Sequence, residues 1–334
     1  MTDLKYFILR RLITFLPTVV GVVALTFVIA RMIPADPARL WAGGVKAKED
    51  VIAQLAQKYH LKEPLYVQFF YYLRDIFTGD WGVSPVTRRP VLADIASYFP
   101  ATVELAVFSF VLIVTVGVPL GMVAALKRDS WVDHLVRVIS IGGASLPVFW
   151  LGVLLQLAFY HSLGVLPAVG RGTPPPRVFT GMYTLDSLLC GDFAAFWDNL
   201  SHMVLPGVTL AFSSVGLIAR ITRGSILDTL SAEHIDFARM RGLTRWLMLK
   251  HILKNSLVPI ITVLGLTFSW LLSGAIVVEA IFAWPGIGSY ATSAIANVDF
   301  PAIVGVTLLM GLIYVAINFL VDILYALVDP RVRL

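Results

Sequence analysis

Six long apolar runs punctuate the chain, near Leu12–Ala30, Thr102–Leu126, Leu135–Leu163, Met203–Ile221, Leu257–Ala283 and Ile303–Leu327. A helix needs about 20 apolar residues to cross a hydrocarbon core of about 30 Å, and each run supplies roughly that. The segment Ser231–Pro259, SAEHIDFARMRGLTRWLMLKHILKNSLVP, is different. It is basic and of mixed polarity, so it cannot span a bilayer, yet its apolar residues recur too regularly for a disordered loop. Ser231 reads as an N-cap, and Ile235, Ala238 and then Met240 or Arg241 follow at helical spacing. Gly242 stands where a helix C-terminus favours a left-handed residue. The pattern predicts a short helix outside the membrane that leads back into a membrane helix and is shaped to dock something.

Residues 32–98 are a polar insertion between the first two runs, with a helical pattern of their own. Glu49 and Asp50 open it, Val51, Ile52, Leu55, Ala56 and Tyr59 carry it, and Lys58 and His60 close it. Acid first and base last suits the helix dipole. Tyr66–Phe77 adds Phe69, Phe70, Tyr71 and Tyr72, aromatics suited to a membrane interface. A small cap on the membrane surface is predicted here. Several apolar runs hold residues that a soluble helix avoids: Pro17, Gly117, Pro119, Gly121, Gly142, Gly143 and Pro147. A bundle in lipid tolerates them, and Gly117 with Gly121 permits close helix approach.

Composition agrees with that picture. Of 334 residues, 58% are hydrophobic and 14% charged, with a mean hydropathy of +0.82. A soluble domain carries about 25% charged residues, so this chain cannot cover a water-facing surface. Lys and Arg cluster before the first run, between the second and third, between the fourth and fifth, and at the end of the chain. The loop between runs five and six has neither. By the positive-inside rule both termini and the Ser231–Pro259 segment face the cytoplasm, and 32–98 is external. The net charge of +5 is this bias and not a nucleic-acid footprint. The single cysteine, Cys190, allows no intrachain disulfide and reads as a free thiol. The first run reads as a retained span rather than a cleaved signal.

No catalytic constellation is legible. The chain has no phosphate-binding Walker A motif, no HExxH and no CxxC, and its histidines are scattered near helix ends. Neither a cofactor nor a metal is expected in this chain. The acidic groups at membrane depth are Glu104, Glu279 and Asp322, with Asn318 one turn before Asp322. Such residues invite a functional reading. The structural alternative pairs Asp322 with Arg220 or Arg223 and has Glu104 and Glu279 bond loop amides. Thr209, Ser213, Ser214, Ser269 and Ser273 are candidate pore-lining hydroxyls, against the alternative of bonding back to their own helix. A self-sufficient secondary transporter would need ion sites at midplane, and an intramembrane enzyme a nucleophile or metal set. The sequence shows neither.

Asp236-Phe-Ala-Arg-Met-Arg-Gly-Leu243, followed by Lys250-His-Ile-Leu-Lys-Asn-Ser-Leu-Val-Pro-Ile-Ile-Thr-Val-Leu-Gly-Leu266, resembles the cytoplasmic EAA loop of ABC-importer permeases. The likeness is to the B-type permease subunit of the dipeptide/oligopeptide family. Phe237 stands in place of a small residue and Arg241 in place of Lys. Ile33-Pro-Ala-Asp-Pro37, Gly79-Asp-Trp-Gly-Val-Ser84, Thr102-Val-Glu-Leu-Ala106, Phe282-Ala-Trp-Pro-Gly-Ile-Gly288, Asn318-Phe-Leu-Val-Asp-Ile-Leu-Tyr325 and Asp329-Pro-Arg331 extend the resemblance over nearly the whole chain, in order.

The resemblance implies an all-α polytopic membrane protein with the six transmembrane helices of the type I ABC importer permease fold. Residues 1–31 would be the cytoplasmic end and first span, 32–98 the external insertion, and 99–334 the permease core, with 231–256 as its coupling loop. Glu233, Asp236, Phe237, Ala238, Arg241, Gly242 and Leu243 would carry the contact with an ATPase. The implied partners are a C-type permease subunit, two ABC ATPase subunits that hold ATP and magnesium, an extracytoplasmic binding protein and the lipid bilayer, in the cell membrane. The implied cargo is a peptide; relatives within the family also carry nickel chelates, glutathione or oligosaccharides. The 164–201 loop is then expected to dock the binding protein. Specificity is expected to lie in that protein, with this subunit half of a low-specificity conduit.

Overall fold

Long apolar runs become long helices. The computed structural model describes residues 2–32, 37–42 and 48–328. Among the described residues five helices are long and apolar enough to cross a membrane, and six crossings result if a bent pair counts as one broken span. They lie within α1 (Thr2–Met32), the run α5 (Val91–Leu112) to α6 (Val118–Leu126), α10 (Phe193–Leu230), α12 (Arg245–Gly274) and α15 (Phe300–Val328). The bent pair is α7 (Trp131–Ser145) and α8 (Val148–Leu155), the latter extended by a wider turn over Gln156–Ser162. The described residues hold no strand, only an isolated bridge between Val83 and Pro90.

Proline explains two departures from uniform spans. Pro147 offers no amide hydrogen and forces Leu146 into an extended conformation (φ −83°, ψ 127°). The run read from sequence as one span, Leu135–Leu163, is therefore broken, and its halves meet at 103°. Pro119 has a milder effect. The helix widens to a π-type turn over Ile113–Gly117 just before it and continues.

The central element is α10, which packs against α5, α6, α7, α8, α9 (Tyr183–Leu189) and α12. On its far side α12 meets α15, and α15 meets α1. Lipid tails are as apolar as leucine, so close packing rather than burial from water must hold such helices together. Small residues supply it. Gly121 of α6 lies against the Ala219 carbonyl and Thr222, and Gly216 of α10 against the Ser140 backbone. Leu105, Ile113, Leu205, Leu210, Ile218, Leu271, Phe282 and Trp284 fill the shared core.

The bundle has two unlike ends. At one, α2 (Pro37–Trp41), α3 (Glu49–Lys58) and α4 (Leu65–Thr78) form a cap over α1 and α15, with α3 following the helical pattern read from Glu49 onward. Trp41, Tyr59, Phe300 and Val304 are its buried core. The same end holds α9, α13 (Ile276–Ile281) and α14 (Ile287–Ala296). At the other end, α11 (Glu233–Met240) joins α10 to α12. Asp329-Pro-Arg331 and the Ile33–Asp36 part of the first motif lie outside the described residues.

Candidate functional site: the loop helix and the α10–α12 groove

The predicted short helix exists as α11. Its start differs from the sequence reading. Ser231 does not cap it, because its hydroxyl donates back to the Leu227 carbonyl (3.1 Å) and so belongs to the end of α10. Ala232 occupies the N-cap position without a side-chain bond. The predicted stop holds, since Gly242 has φ +72° and its amide closes on the Arg239 carbonyl (3.0 Å). A Cβ at Gly242 would meet nothing within 4 Å, so glycine is required there by backbone conformation and not by space. Thr244 then caps α12 through the Leu247 amide (3.5 Å).

A buried isoleucine seats α11 on the bundle. Ile235 is fully buried, among Ala125 of α6, Ile226 of α10 and Ile252 of α12. Glu233, Asp236, Phe237, Arg239, Met240, Arg241 and Gly242 are exposed, while Ala238 and Leu243 are half-buried. Phe237 is 56% and Met240 78% exposed, both large apolar groups. The Arg241 guanidinium lies over the Phe237 ring at 4.9 Å, and Arg239 pairs with Asp236 at 3.1 Å. The result is a short rigid knob, apolar at its tip and ringed by charge.

Behind the knob, α10 and α12 are clasped by hydroxyls. Ser225 donates to the Ser256 carbonyl (3.0 Å), and the Thr229 and Ser256 hydroxyls lie 2.9 Å apart. Ser256 is fully buried. Nothing in the sequence marks these three as a set, since 31 positions separate Ser225 from Ser256.

Further along the same two helices a groove opens, lined by Ser213, Ser214, Leu217 and Arg220 of α10 and by Val263, Leu266, Thr267 and Trp270 of α12. The candidate hydroxyls divide here. Thr209 is fully buried and bonds the Leu205 carbonyl (2.7 Å), and Ser269 is buried and reaches Gly265 (3.2 Å), so both face the packed interior. Ser213 and Ser214 line the groove. The Ser273 side chain lies outside the described residues.

The candidate acids all have structural partners. Glu279 is fully buried and accepts from the Thr102 hydroxyl (2.7 Å) and the amides of Gly288 (2.7 Å) and Ser289 (3.2 Å). Thr102 in turn accepts from Ile287 (2.8 Å), and the Trp284 indole donates to the Ala101 carbonyl (2.9 Å). Two motifs far apart in sequence thus interlock. Glu104 accepts from the Thr184 amide (2.6 Å) and forms a buried ion pair with Arg171, whose guanidinium stacks 3.6 Å from the Tyr183 ring centre. Asn318 is half-buried on α15. Asp322 pairs with Arg11 of α1 at 3.1 Å, not with Arg220 or Arg223 as the sequence suggested. Arg223 is taken by Asp133, which is fully buried and binds it through both oxygens (2.6 and 2.7 Å), with Arg137 at 2.5 Å. The Asp133–Arg137 spacing is visible in sequence as an i,i+4 pair; its partner 90 positions away is not.

The 164–201 loop is built, not slack. Asp186 is fully buried and gathers the amides of Phe179, Thr180 and Gly181 and the Thr180 hydroxyl. Burial pushes its carboxyl up, but these bonds outweigh burial and hold it below the usual carboxylate range. Phe179, Phe193 and Trp197 remain more than 60% exposed on that surface.

Two family models cover the chain. The one described as "binding-protein-dependent transport system inner membrane component" matches residues 117–334, and its N-terminal companion matches residues 4–106. A probable D,D-dipeptide transport system permease protein of Escherichia coli strain K12 is 44% identical over 318 residues, covering 94% of this chain and 93% of that protein. A dipeptide transport system permease protein of Alkalihalophilus pseudofirmus is 39% identical over 328 residues, with 97% and 98% covered. A glutathione transport system permease protein of Salmonella typhimurium is 38% identical over 328 residues, with 98% of each covered.

Proposed function

We infer the function from a fixed premise: the chain belongs to the binding-protein-dependent transport system inner membrane component family. It forms one half of the translocation path for short peptides in an ATP-driven importer. A C-type permease supplies the other half, two ATPase subunits bind and hydrolyse ATP, and an extracytoplasmic protein delivers cargo. The cap end faces outward and the α11 end faces the cytoplasm, in keeping with the Lys and Arg bias of the loops.

The observation that carries this reading is the α11 knob. It is anchored by Ile235 on three membrane helices at once and presents Phe237, Met240 and Arg241 outward. An ATPase groove closing on that tip would push α6, α10 and α12 together and turn the α10–α12 groove from one side to the other. Peptide cargo is supported by the dipeptide permeases among the relatives, and the glutathione permease is a relative of similar likeness.

The test is to place a side chain where the knob has none to spare. Gly242→Asp puts a Cβ at positive φ, at a cost of about 1 kcal/mol or more, and Ala238→Trp enlarges the docking face. Both variants should insert and assemble but lose uptake driven by ATP. Wild-type uptake at matched expression would overturn the coupling role of α11. Ligand identification on the cognate binding protein tests the peptide class.

A further inference from the structure

Several arginines on or beside the core helices meet carboxylates: Arg11 with Asp322, Arg171 with Glu104, and Arg137 and Arg223 with Asp133. Arg220 does not. It makes no ion pair among the described residues, it is exposed, and it lines the α10–α12 groove. Its place on α10 is roughly 15 Å along the helix from the Leu230 end, within an apolar span. A guanidinium there is costly unless something anionic or aqueous meets it, so its presence asks for a function. Asp133 already holds Arg223, the next basic residue on α10, and cannot serve Arg220 as well without giving up its two bonds.

We propose that Arg220 is a carboxylate-binding station in the path, taking the C-terminal carboxylate of the cargo near the inner mouth of the α10–α12 groove. This rests on the reading that the groove is half of the translocation path. The planar guanidinium offers two parallel donors to a carboxylate. Ser213 and Ser214 stand on the same groove about two helical turns away, roughly 10 Å along the axis. The extended backbone of a dipeptide spans about 7 Å, comparable to that separation, so one molecule can reach both the hydroxyls and the guanidinium. Trp270 and Leu266 form the apolar wall between. One charge-assisted contact in a wet groove holds cargo long enough to orient it and releases it as the groove opens. The path is therefore not indifferent to cargo: it favours molecules with a free carboxylate.

The experiment uses the complete importer with its binding protein in proteoliposomes, on a Cys190→Ser background, with tritiated alanyl-alanine as the probe. Arg220→Gln should cut initial uptake by about tenfold or more, as expected for loss of one charge-assisted bond, and Arg220→Lys should keep most of it. Arg220→Cys should be rescued by 2-aminoethyl methanethiosulfonate, which restores a cation, and not by the anionic sulfonatoethyl reagent. In parallel, a bulky maleimide on Ser213→Cys should block uptake. If that block occurs but Arg220→Gln transports at the wild-type rate, or both reagents rescue equally, the station is overturned and the path stands. If maleimide on Ser213→Cys leaves uptake unchanged, the groove is not the path and both readings fall. If Arg220→Gln no longer co-purifies with the second permease, the carboxylate belongs to the partner subunit and the station is overturned.

Discussion

The cap-end loops and the α11 helix are held by different physics. At the cap end, buried charge does the fastening: Glu104 with Arg171, Glu279 with Thr102 and two amides, Asp186 with three amides and a hydroxyl. The α11 end holds a buried node as well, Asp133 with Arg223 and Arg137, but that node ties α7 to α10; α11 itself is seated by an apolar plug, Ile235, with the hydroxyl clasp between α10 and α12 behind it. Ion pairs on α11 itself are exposed, as Arg239–Asp236 is, and exposed pairs are worth little. Buried ionic nodes lock one geometry, because each displaced charge would be left without a partner. An apolar plug resists pulling away but tolerates small rotations. The cap end is built to stay still and α11 to be pushed.

The largest expected effect is at the cap. Removing one partner of a buried ion pair costs about 3–5 kcal/mol, so Arg171→Met should sharply lower the thermal midpoint of the purified protein. The double variant Arg171→Met with Glu104→Gln should recover part of that loss. Equal destabilisation by the single and double variants would show that the pair does not fasten this end. Deletion of 171–177, an obvious test of the loop as a docking surface, fails for the same reason, since it strands Glu104. Phe193→Ala and Trp197→Ala leave the buried nodes alone and are the cleaner probes of docking.

The loop end should respond differently. Ile235→Ala removes most of a buried side chain from the plug, at a cost of about 2–4 kcal/mol confined to α11. The prediction is a protein with a nearly unchanged thermal midpoint, rapid amide exchange over 231–244, and ATP hydrolysis no longer linked to uptake. A midpoint that falls as far as that of Arg171→Met would erase the contrast between the ends.

Much of this was readable from residues. Apolar runs gave five of the crossings as continuous helices, and Gly242 gave the end of α11, because both depend on local chain properties. The third run, Leu135–Leu163, reads as one span, and the break at Pro147 is not legible in it, because proline inside a membrane helix sometimes bends it and sometimes breaks it. Side-chain pairing was the least legible part. Asp322 had two arginines nearby on helical reckoning, and its partner proved to be Arg11 at the far end of the sequence. The division of hydroxyls between the Thr209 interior and the Ser213 groove depends on the rotation of α10, which neighbouring helices set. Arg220 stands out only once Asp133 is seen to hold Arg223 and Asp322 to hold Arg11.

A pH series separates the ends further. Asp186 is held below the usual carboxylate range in the folded protein. A depressed carboxylate contributes stability that is present above its unfolded pKa, about 3.9, and lost as pH falls through the lower folded value. The 173–190 loop should therefore keep its protection from proteolysis at pH 5 and lose it only below the ordinary carboxylate range. Asp186→Asn should loosen the loop at every pH. Loosening of the wild-type loop between pH 6 and 5 would mean that another group governs it.

The smallest expected effect probes the clasp. Thr229→Val keeps the shape of the side chain and removes its bonds to Ser225 (2.8 Å) and Ser256 (2.9 Å). Hydrogen bonds between membrane helices average about 0.6 kcal/mol, so the thermal midpoint should barely move. Coupling is the more sensitive readout. If α10 and α12 must travel together when α11 is pushed, a looser joint between them wastes part of each stroke. The number of cargo molecules imported per ATP should then fall in Thr229→Val and in Ser256→Ala, and no further in the double variant, because the two changes open the same joint. An additive fall would mean that the hydroxyls act separately. An unchanged ratio in both would mean that Ile235 and the packing around it carry the push alone.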